Sequence, residues 1–183
     1  MSRYIAILRG INVSGQKKIL MADLRKLLTE GGIREVKTYI QSGNIAFEAA
    51  EDADNRELAG QIQDLIRAHY QFEVPTLVRN REELLRTVAL CPYADETDID
   101  LKRLFVTFLD EEPEAERVNK LKAMDFSPDR FEIIGQDLYL HCPVSYGRSK
   151  LNNNFFENKL KVPATTRNWK TVNKLLEMTE TDS

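Results

Sequence analysis

The residue types that could bind an anion are concentrated in three short segments of this 183-residue chain. The first, residues 9–18, places glycine at positions 10 and 15 between Arg9 and the pair Lys17 and Lys18. Glycines let backbone N–H groups converge on an anion, and the lysines add positive charge beside the start of a helix. The segment predicts an anion-binding loop with Arg9, Asn12 and Lys17 as ligand-binding residues; a solvated strand-to-helix connection is the alternative.

The same segment has the G-x-x-x-x-G spacing of a P-loop, but the rest of that motif is missing. A P-loop needs lysine directly after the second glycine and then a hydroxyl residue for the magnesium ion. Here Gln16 comes first, and Lys18 stands where the hydroxyl residue would be. The hairpin predicted over residues 36–48 also conflicts with an all-parallel sheet, so the sequence argues against an NTPase.

The second and third segments supply amide and guanidinium groups. Gln41 and Asn44 lie at a predicted hairpin tip, where Asn44 could also serve only to form the turn. Arg167 precedes the last predicted helix, and its planar fork suits bidentate contacts with a carboxylate or phosphate. Asn168 beside it is a further ligand candidate or an N-cap of that helix. Lys150 adds positive charge nearby in the sequence.

Catalytic and metal-binding motifs are sparse. His69 and His141 have no third ligand near them in the sequence, and Cys91 and Cys142 lie in no recognisable nucleophile motif. We therefore expect no metal and no cofactor, and the sequence names no catalytic residue. The apolar stretch from Tyr4 to Leu8 is too short for a signal peptide, so we expect a cytoplasmic location. The two cysteines fit reduced, buried thiols better than a disulfide framework.

The charge is distributed unevenly along a chain whose formal net charge is −3. Residues 1–40 carry eight basic and three acidic residues, and residues 145–174 carry seven basic and one acidic residue. If the two basic ends share a face, the field there favours an anionic small molecule or a nucleic acid. Interleaved charges on an ordinary solvated surface are the alternative.

Hydrophobic periodicity predicts a βαββαβ order, followed by a helix, in each half of the chain. The predicted strands are 4–9, 36–41, 44–48, 74–78, 104–109, 131–134, 138–141 and 162–166, and the predicted helices are 20–28, 58–66, 81–89, 113–124, 152–160 and 169–176. This pattern indicates an α+β fold of duplicated ferredoxin-like plaits with antiparallel sheets and additional C-terminal helices. The predicted domains are residues 1–94, with a trailing helix, and residues 95–183, with the C-terminal helix.

A short internal repeat supports the duplication. Val74-Pro75 and Arg79-Asn80 recur as Val162-Pro163 and Arg167-Asn168, at a constant offset of 88 residues. Because Arg9 ends the first strand and Arg167 leads into the last helix, we expect both side chains to face a common groove between the halves.

Several motifs resemble the domain of unknown function 1697 family. They are Leu8-Arg9-Gly10-Ile11-Asn12-Val13, Met21-Ala22-Asp23-Leu24, Thr38-Tyr39-Ile40-Gln41-Ser42-Gly43-Asn44, and the run from Gly147-Arg148-Ser149-Lys150-Leu151 to Thr165-Thr166-Arg167-Asn168-Trp169. The family pattern often has glycine at position 14, where this chain has Ser14. The resemblance implies a duplicated ferredoxin-like fold and no established activity.

Three functions remain open. The first is a soluble binding module for an anionic ligand, and the second is a metal-free enzyme that positions a small anionic substrate with Arg9, Gln41 and Arg167. The third is a scaffold or protein-interaction protein. RNA is disfavoured as the ligand because the third strand lacks the stacking aromatics of RNA-recognition domains, leaving Tyr39 and Tyr139 as the outward-facing candidates. No apolar run reaches the roughly 18 residues of a membrane helix, and we expect a monomer or a weak homo-oligomer.

Overall fold

The computed structural model describes residues 1–180, which form two compact units. Unit 1 comprises residues 1–85 and the segment that begins at Leu175, and unit 2 comprises residues 86–174. The predicted domains 1–94 and 95–183 each contain one of the two sheets, and that division of the chain stays a prediction. Within residues 1–180, no helix is both long and apolar enough to cross a membrane.

Unit 1 contains a four-stranded antiparallel sheet with the strand order β2-β3-β1-β4. This order places the first strand in the centre, as in a ferredoxin-like plait. Its elements are β1 (Ser2–Leu8), α1 (Met21–Glu30), β2 (Arg34–Tyr39), β3 (Asn44–Ala49), α2 (Asn55–Tyr70) and β4 (Thr76–Asn80), followed by the first part of α3 (Arg81–Ala89), whose residues from Arg86 on belong to unit 2.

Unit 2 repeats the plan with the strand order β6-β7-β5-β8. Its elements are β5 (Leu104–Leu109), α4 (Ala115–Lys122), β6 (Arg130–Ile134), β7 (Asp137–His141), α5 (Asn153–Leu160) and β8 (Ala164–Asn168), followed by the first part of α6 (Trp169–Met178), whose residues from Leu175 on belong to unit 1. The α+β fold with two antiparallel sheets and interleaved helices is confirmed, and the elements lie within a few residues of their predicted bounds.

Strand register gives the 88-residue repeat a structural meaning. In unit 1, Arg79 of β4 is paired with Ile5 of the central strand. In unit 2, Arg167 of β8 is paired in the same way with Val106. The two arginines therefore occupy equivalent positions next to the central strand, and each is followed by an asparagine that precedes a helix.

Both faces of the strand β1 are buried. On the helix face, alternate residues of β1 such as Tyr4, Ala6 and Leu8 join α1 and α2 in one apolar core. On the other face, Ile5 and Ile7 are equally buried. Period-two alternation assigns residues to a face, but it does not say whether that face is covered.

One prediction about the second sheet is wrong for the same reason, because the face of the sheet that was expected to be exposed is covered. Tyr139 was expected to face outward as a stacking platform, but the structure buries it completely. Its hydroxyl donates to the carbonyl oxygen of Thr87 at 2.7 Å, and the Thr87 hydroxyl bonds Asp137 at 2.7 Å. Tyr139 therefore holds the part of α3 that belongs to unit 2 against the sheet of the same unit. Burial raises the pKa of Tyr139, so the hydroxyl stays a donor.

The β2–β3 hairpin turns tightly against the end of β1. The Leu8 N–H donates to the carbonyl oxygen of Gly43 at 2.8 Å, and Gly43 has a φ of +88°. A Cβ at position 43 would lie 2.8 Å from the Leu8 Cβ and 2.7 Å from the Ile11 Cδ1. Glycine is required here both by the positive φ and by the close approach of the two segments.

We expect Gly43→Ala to destabilise the fold more than Gly10→Ala, as measured by urea unfolding. Gly10 also has a positive φ, +75°, but a Cβ there would meet open space. Both substitutions should lower the free energy of unfolding by about 1–2 kcal/mol, because alanine is disfavoured in the left-handed backbone conformation. Gly43→Ala should lower it by about 1–3 kcal/mol more, because the added methyl group overpacks the contact with Leu8 and Ile11. Equal losses for the two variants would show that the hairpin tip does not press on β1.

Candidate functional site

Three segments lie close together in unit 1, at the end of β1, and the first two contain predicted site residues. They are residues 9–20, which connect β1 to α1, residues 40–44 at the tip of the β2–β3 hairpin, and residues 73–75 before β4. We call the first two of these segments the loop platform. It contains Arg9, Asn12, Lys17, Gln41 and Asn44, five of the eight predicted ligand-binding residues.

Residues 12–17 form a miniature β-hairpin. The Asn12 N–H donates to the Lys17 carbonyl at 3.1 Å, and the Gln16 N–H donates to the Val13 carbonyl at 2.9 Å. Ser14 and Gly15 have φ angles of +50° and +74°, as in the type I′ turns that favour glycine. Because two of the backbone N–H groups are used within the hairpin, the loop differs from a phosphate cradle and presents side chains instead.

Asn12 joins the miniature hairpin to the rest of the loop platform. Its side-chain amide donates to the carbonyl oxygens of Ile19 at 2.9 Å and Gln41 at 2.8 Å. Its side-chain oxygen accepts from the Ile19 N–H at 2.9 Å. Both amide hydrogens and the oxygen are thus engaged by the backbone. Asn12 positions the two segments, and this arrangement leaves little of its side chain for a ligand.

Asn44 has a similar positioning role in the hairpin tip. It is completely buried, and its amide donates to the Tyr39 carbonyl at 2.9 Å and the Ser42 hydroxyl at 3.0 Å. Gln41, by contrast, is exposed at the tip, and its backbone carbonyl receives the Asn12 bond. The turn-forming interpretation therefore fits Asn44, and Gln41 keeps an accessible side chain.

The basic groups of the loop platform differ in their surroundings. Arg9 is half-buried, and its N–H donates to the Pro75 carbonyl at 2.9 Å. Lys17 is also half-buried; its ammonium donates to the Glu73 carbonyl and lies 5.9 Å from the centre of the Phe72 ring. Lys18 next to it is exposed. The Lys17 side chain thus lies against the segment that precedes β4.

The other three predicted residues belong to unit 2. Lys150 is exposed, whereas Arg167 is only 9% exposed and donates through Nη1 to the Thr166 carbonyl at 3.0 Å. Burial lowers the pKa of Arg167 to about 10, which still leaves it charged at neutral pH. The Asn168 oxygen accepts from the Thr171 N–H at 2.8 Å, so Asn168 is the N-cap of α6. The common groove for Arg9 and Arg167 stays a prediction.

Arg79 belongs to the 88-residue repeat but is not one of the predicted site residues. It is buried, like Arg167, and donates through Nη1 to the Val78 carbonyl at 3.2 Å. The Asn80 oxygen accepts from the Glu83 N–H at 2.9 Å, as Asn168 does for Thr171. The 88-residue repeat is the sequence feature that indicates this role, because a motif that occurs in both units favours a role in the fold.

A second polar cluster, in unit 2, carried no sequence signal. Arg130 makes a bidentate ion pair with Glu96, at 2.7 and 3.2 Å, and its guanidinium lies 4.7 Å from the centre of the Tyr93 ring. Burial raises the pKa of Tyr93 to about 12, and burial and then Arg130 lower the pKa of His141. The cluster borders a cleft of about 490 Å³ whose walls include Phe126.

The cysteines behave as buried thiols. Cys91 and Cys142 are both free and buried, and burial raises the pKa of each, that of Cys142 to about 11. A thiol with a raised pKa is a poor nucleophile at neutral pH. Among residues 1–180, His, Cys, Asp and Glu side chains form no group of three that could hold a metal ion.

We expect Arg167→Ala to lower the free energy of unfolding by about 2 kcal/mol or more, because a buried side chain and its hydrogen bonding are lost. The matched control is Arg148→Ala in the same unit, where the side chain is exposed and the change should stay within about 0.5 kcal/mol. Chemical denaturation of both variants measures the difference. Stability equal to that of the unsubstituted chain in Arg167→Ala would instead favour the ligand-clamp interpretation.

Comparison with known proteins extends the fold result over the whole chain. The structure of a conserved bacterial protein, SP0830 from Streptococcus pneumoniae, matches with a TM-score of 0.76 and 25% sequence identity. The match covers 98% of this chain and 99% of that one. A comparison with curated proteins finds no match. A family model described as "Protein of unknown function (DUF1697)" matches residues 1–139, and the chain belongs to that family.

Proposed function

We propose that this chain is a binding module for an anionic ligand, and that the loop platform of unit 1 is its binding surface. The ligand class is a small phosphate or carboxylate compound or a nucleic acid. The observation that carries the proposal is the bridge made by Asn12, which holds residue 19 and residue 41 together by hydrogen bonds of 2.9 and 2.8 Å. Segments far apart in sequence thus form one preorganised surface.

Charge supports an anionic ligand. Residues 9–18 contain three basic residues, Arg9, Lys17 and Lys18, and no acidic residue. Lys17 is held in place by the Glu73 carbonyl, so less side-chain entropy is lost when it contacts a ligand. In this proposal Lys17 and Lys18 supply the attraction, Arg9 adds to it, and the exposed amide of Gln41 contributes a hydrogen bond.

The other predicted residues have different roles in the proposal. Asn12 and Asn44 position the loop platform, since their side chains are engaged by neighbouring backbone and hydroxyl groups. Lys150 is an additional exposed cation for the ligand. Arg167 and Asn168 remain predicted ligand residues. Arg167 is less accessible because it is buried, and Asn168 because it caps α6. A cytoplasmic location and a monomeric or weakly associating state also remain part of the proposal.

The test is a thermal-melting panel at low salt with nucleotides, sugar phosphates, short RNA and short DNA. A ligand at about 100 times its dissociation constant should add about 2.7 kcal/mol to the free energy of unfolding. For a chain of this size the Tm should rise by about 5–10 °C. The shift should shrink as salt is added, because exposed charges are screened.

We expect the double variant Lys17→Gln, Lys18→Gln to lose most of that ligand-induced shift, because two of the three cations of the loop platform are removed. The matched control is Lys26→Gln, Lys120→Gln, which removes the same formal charge from lysines whose side chains are each 75% exposed. The Tm of each protein with and without ligand is the measurement. A full shift in the Lys17, Lys18 variant, or no shift with any probe, would contradict the proposed function.

A further inference from the structure

Two residues of the loop platform have types that their local backbone disfavours. Leu20 occupies the N-cap of α1, where it makes no side-chain hydrogen bond, and its side chain is 66% exposed. Serine, threonine, asparagine and aspartate are the residues that stabilise this position. Leucine there neither caps the helix nor is buried in the core.

Ile40 is the second such residue. It has a φ of +50° and is 47% exposed. A β-branched residue in the left-handed region is an outlier, because its side chain crowds the backbone. Conformations of this kind often accompany functional sites, since other requirements outweigh the strain. Fold stability alone would favour glycine or asparagine at position 40.

These two residues and a third exposed aliphatic residue surround the Asn12 bridge. Val13, which is 60% exposed, follows Asn12 directly. Leu20 follows Ile19, and Ile40 precedes Gln41, the two residues that Asn12 bonds. The miniature hairpin and the tight packing of Gly43 hold all three segments in place. An exposed apolar side chain is ordinary when it stands alone, but here three of them lie around one anchored side chain.

The charge of the same surface specifies the partner further. Lys18 is exposed and lies between Val13 and Leu20 in the sequence, and residues 9–18 carry no acidic group. Apolar side chains set beside cations are complementary to a segment in which carboxylates and apolar side chains alternate. Nucleic acid is a poorer fit because single strands stack on aromatic rings, and neither residues 9–20 nor residues 40–44 include an aromatic residue.

We propose that the loop platform docks an acidic protein segment that carries apolar side chains, with Val13, Leu20 and Ile40 contacting the apolar groups and Lys17 and Lys18 contacting the carboxylates. This inference rests on the proposed function, because it takes the loop platform as the anion-binding surface, and it names the partner class of that surface. The unfavourable residues at positions 20 and 40 are retained for binding at the expense of stability.

The binding test compares three probes on the full chain by fluorescence anisotropy: a short peptide of Glu-Glu-Leu repeats, its Glu-Glu-Ser counterpart and a single-stranded oligo-dT. The Glu-Glu-Leu peptide should bind about fivefold more tightly than the Glu-Glu-Ser peptide, since only it buries apolar surface. The double variant Leu20→Ser, Ile40→Gly should reduce that affinity to the Glu-Glu-Ser level. The control Leu101→Ser, Val144→Ser changes exposed aliphatic residues of unit 2 and should bind as the unsubstituted chain does.

The same variants have an opposite expected effect on stability. Leu20→Ser supplies a helix cap and Ile40→Gly relieves the left-handed strain, so each should raise the Tm by about 2–4 °C. The control variant should not raise it. A gain in Tm together with a loss of affinity is the result expected of residues retained for binding.

Several results would overturn the inference. They are equal affinity for the two peptides, tighter binding of oligo-dT, a lower Tm in both single variants, or self-association in sedimentation that Leu20→Ser abolishes. The last result would make a second copy of this chain the occupant. If anions still bind through Lys17 and Lys18 in any of these cases, only the inference fails. If no anion and neither peptide binds, the proposed function fails with it.

Discussion

The loop platform depends on one polar interaction, the three hydrogen bonds of the half-buried Asn12 side chain. The amide bonds the carbonyl oxygens of Ile19 and Gln41, and the side-chain oxygen accepts the Ile19 N–H. This bridge, together with the packing of Gly43 against Ile11, joins two connections on the surface of unit 1. Each bond also satisfies a backbone group that would otherwise need water, so the bridge stabilises the conformation of both segments.

The fold could be predicted from the sequence because it follows from patterns of short range. Period-two and period-3.6 apolar residues gave the strand and helix order, and Gly31-Gly32 and Gly43 marked ends and turns. The N-cap role of Asn168 was also within reach, since the residue directly precedes a helix and caps it in the structure. Burial of Tyr139 and Arg167 was not predictable, because alternation assigns a residue to a face and says nothing about what covers that face.

The sequence singled out residues of both segments of the loop platform, but it did not indicate that the two segments meet. Asn12 and Asn44 were predicted as ligand-binding residues, and in the structure their amides hold the backbone together. The contact from Asn12 to Gln41 spans 29 residues, and no local pattern encodes a bond of that range. Leu20 and Ile40 were missed altogether, since their unusual environment is visible only as an exposed N-cap and a positive φ.

The duplication shows which features belong to the fold and which are specific to one unit. The buried arginine and the capping asparagine occur in both units at equivalent positions, as a structural element would. The connection after the central strand differs between them. The Arg9 N–H bonds Pro75 and the Asp110 N–H bonds Pro163, so these residues are equivalent by register. Unit 1 continues there with the segment 9–18, whose charged residues are all basic, and unit 2 with the segment 110–114, whose charged residues are all acidic. This difference favours a role for the loop platform that is specific to unit 1.

The most direct test of the central claim is a titration of the isotope-labelled chain with a phosphate-bearing ligand, followed by amide chemical shifts. We predict that the shifts change in residues 9–20 and 40–44, and that the amide protons of the Asn12 side chain broaden little because they remain bonded to the backbone. Changes confined to unit 2, or spread evenly over all exposed lysines, would contradict the claim that the loop platform is the binding surface.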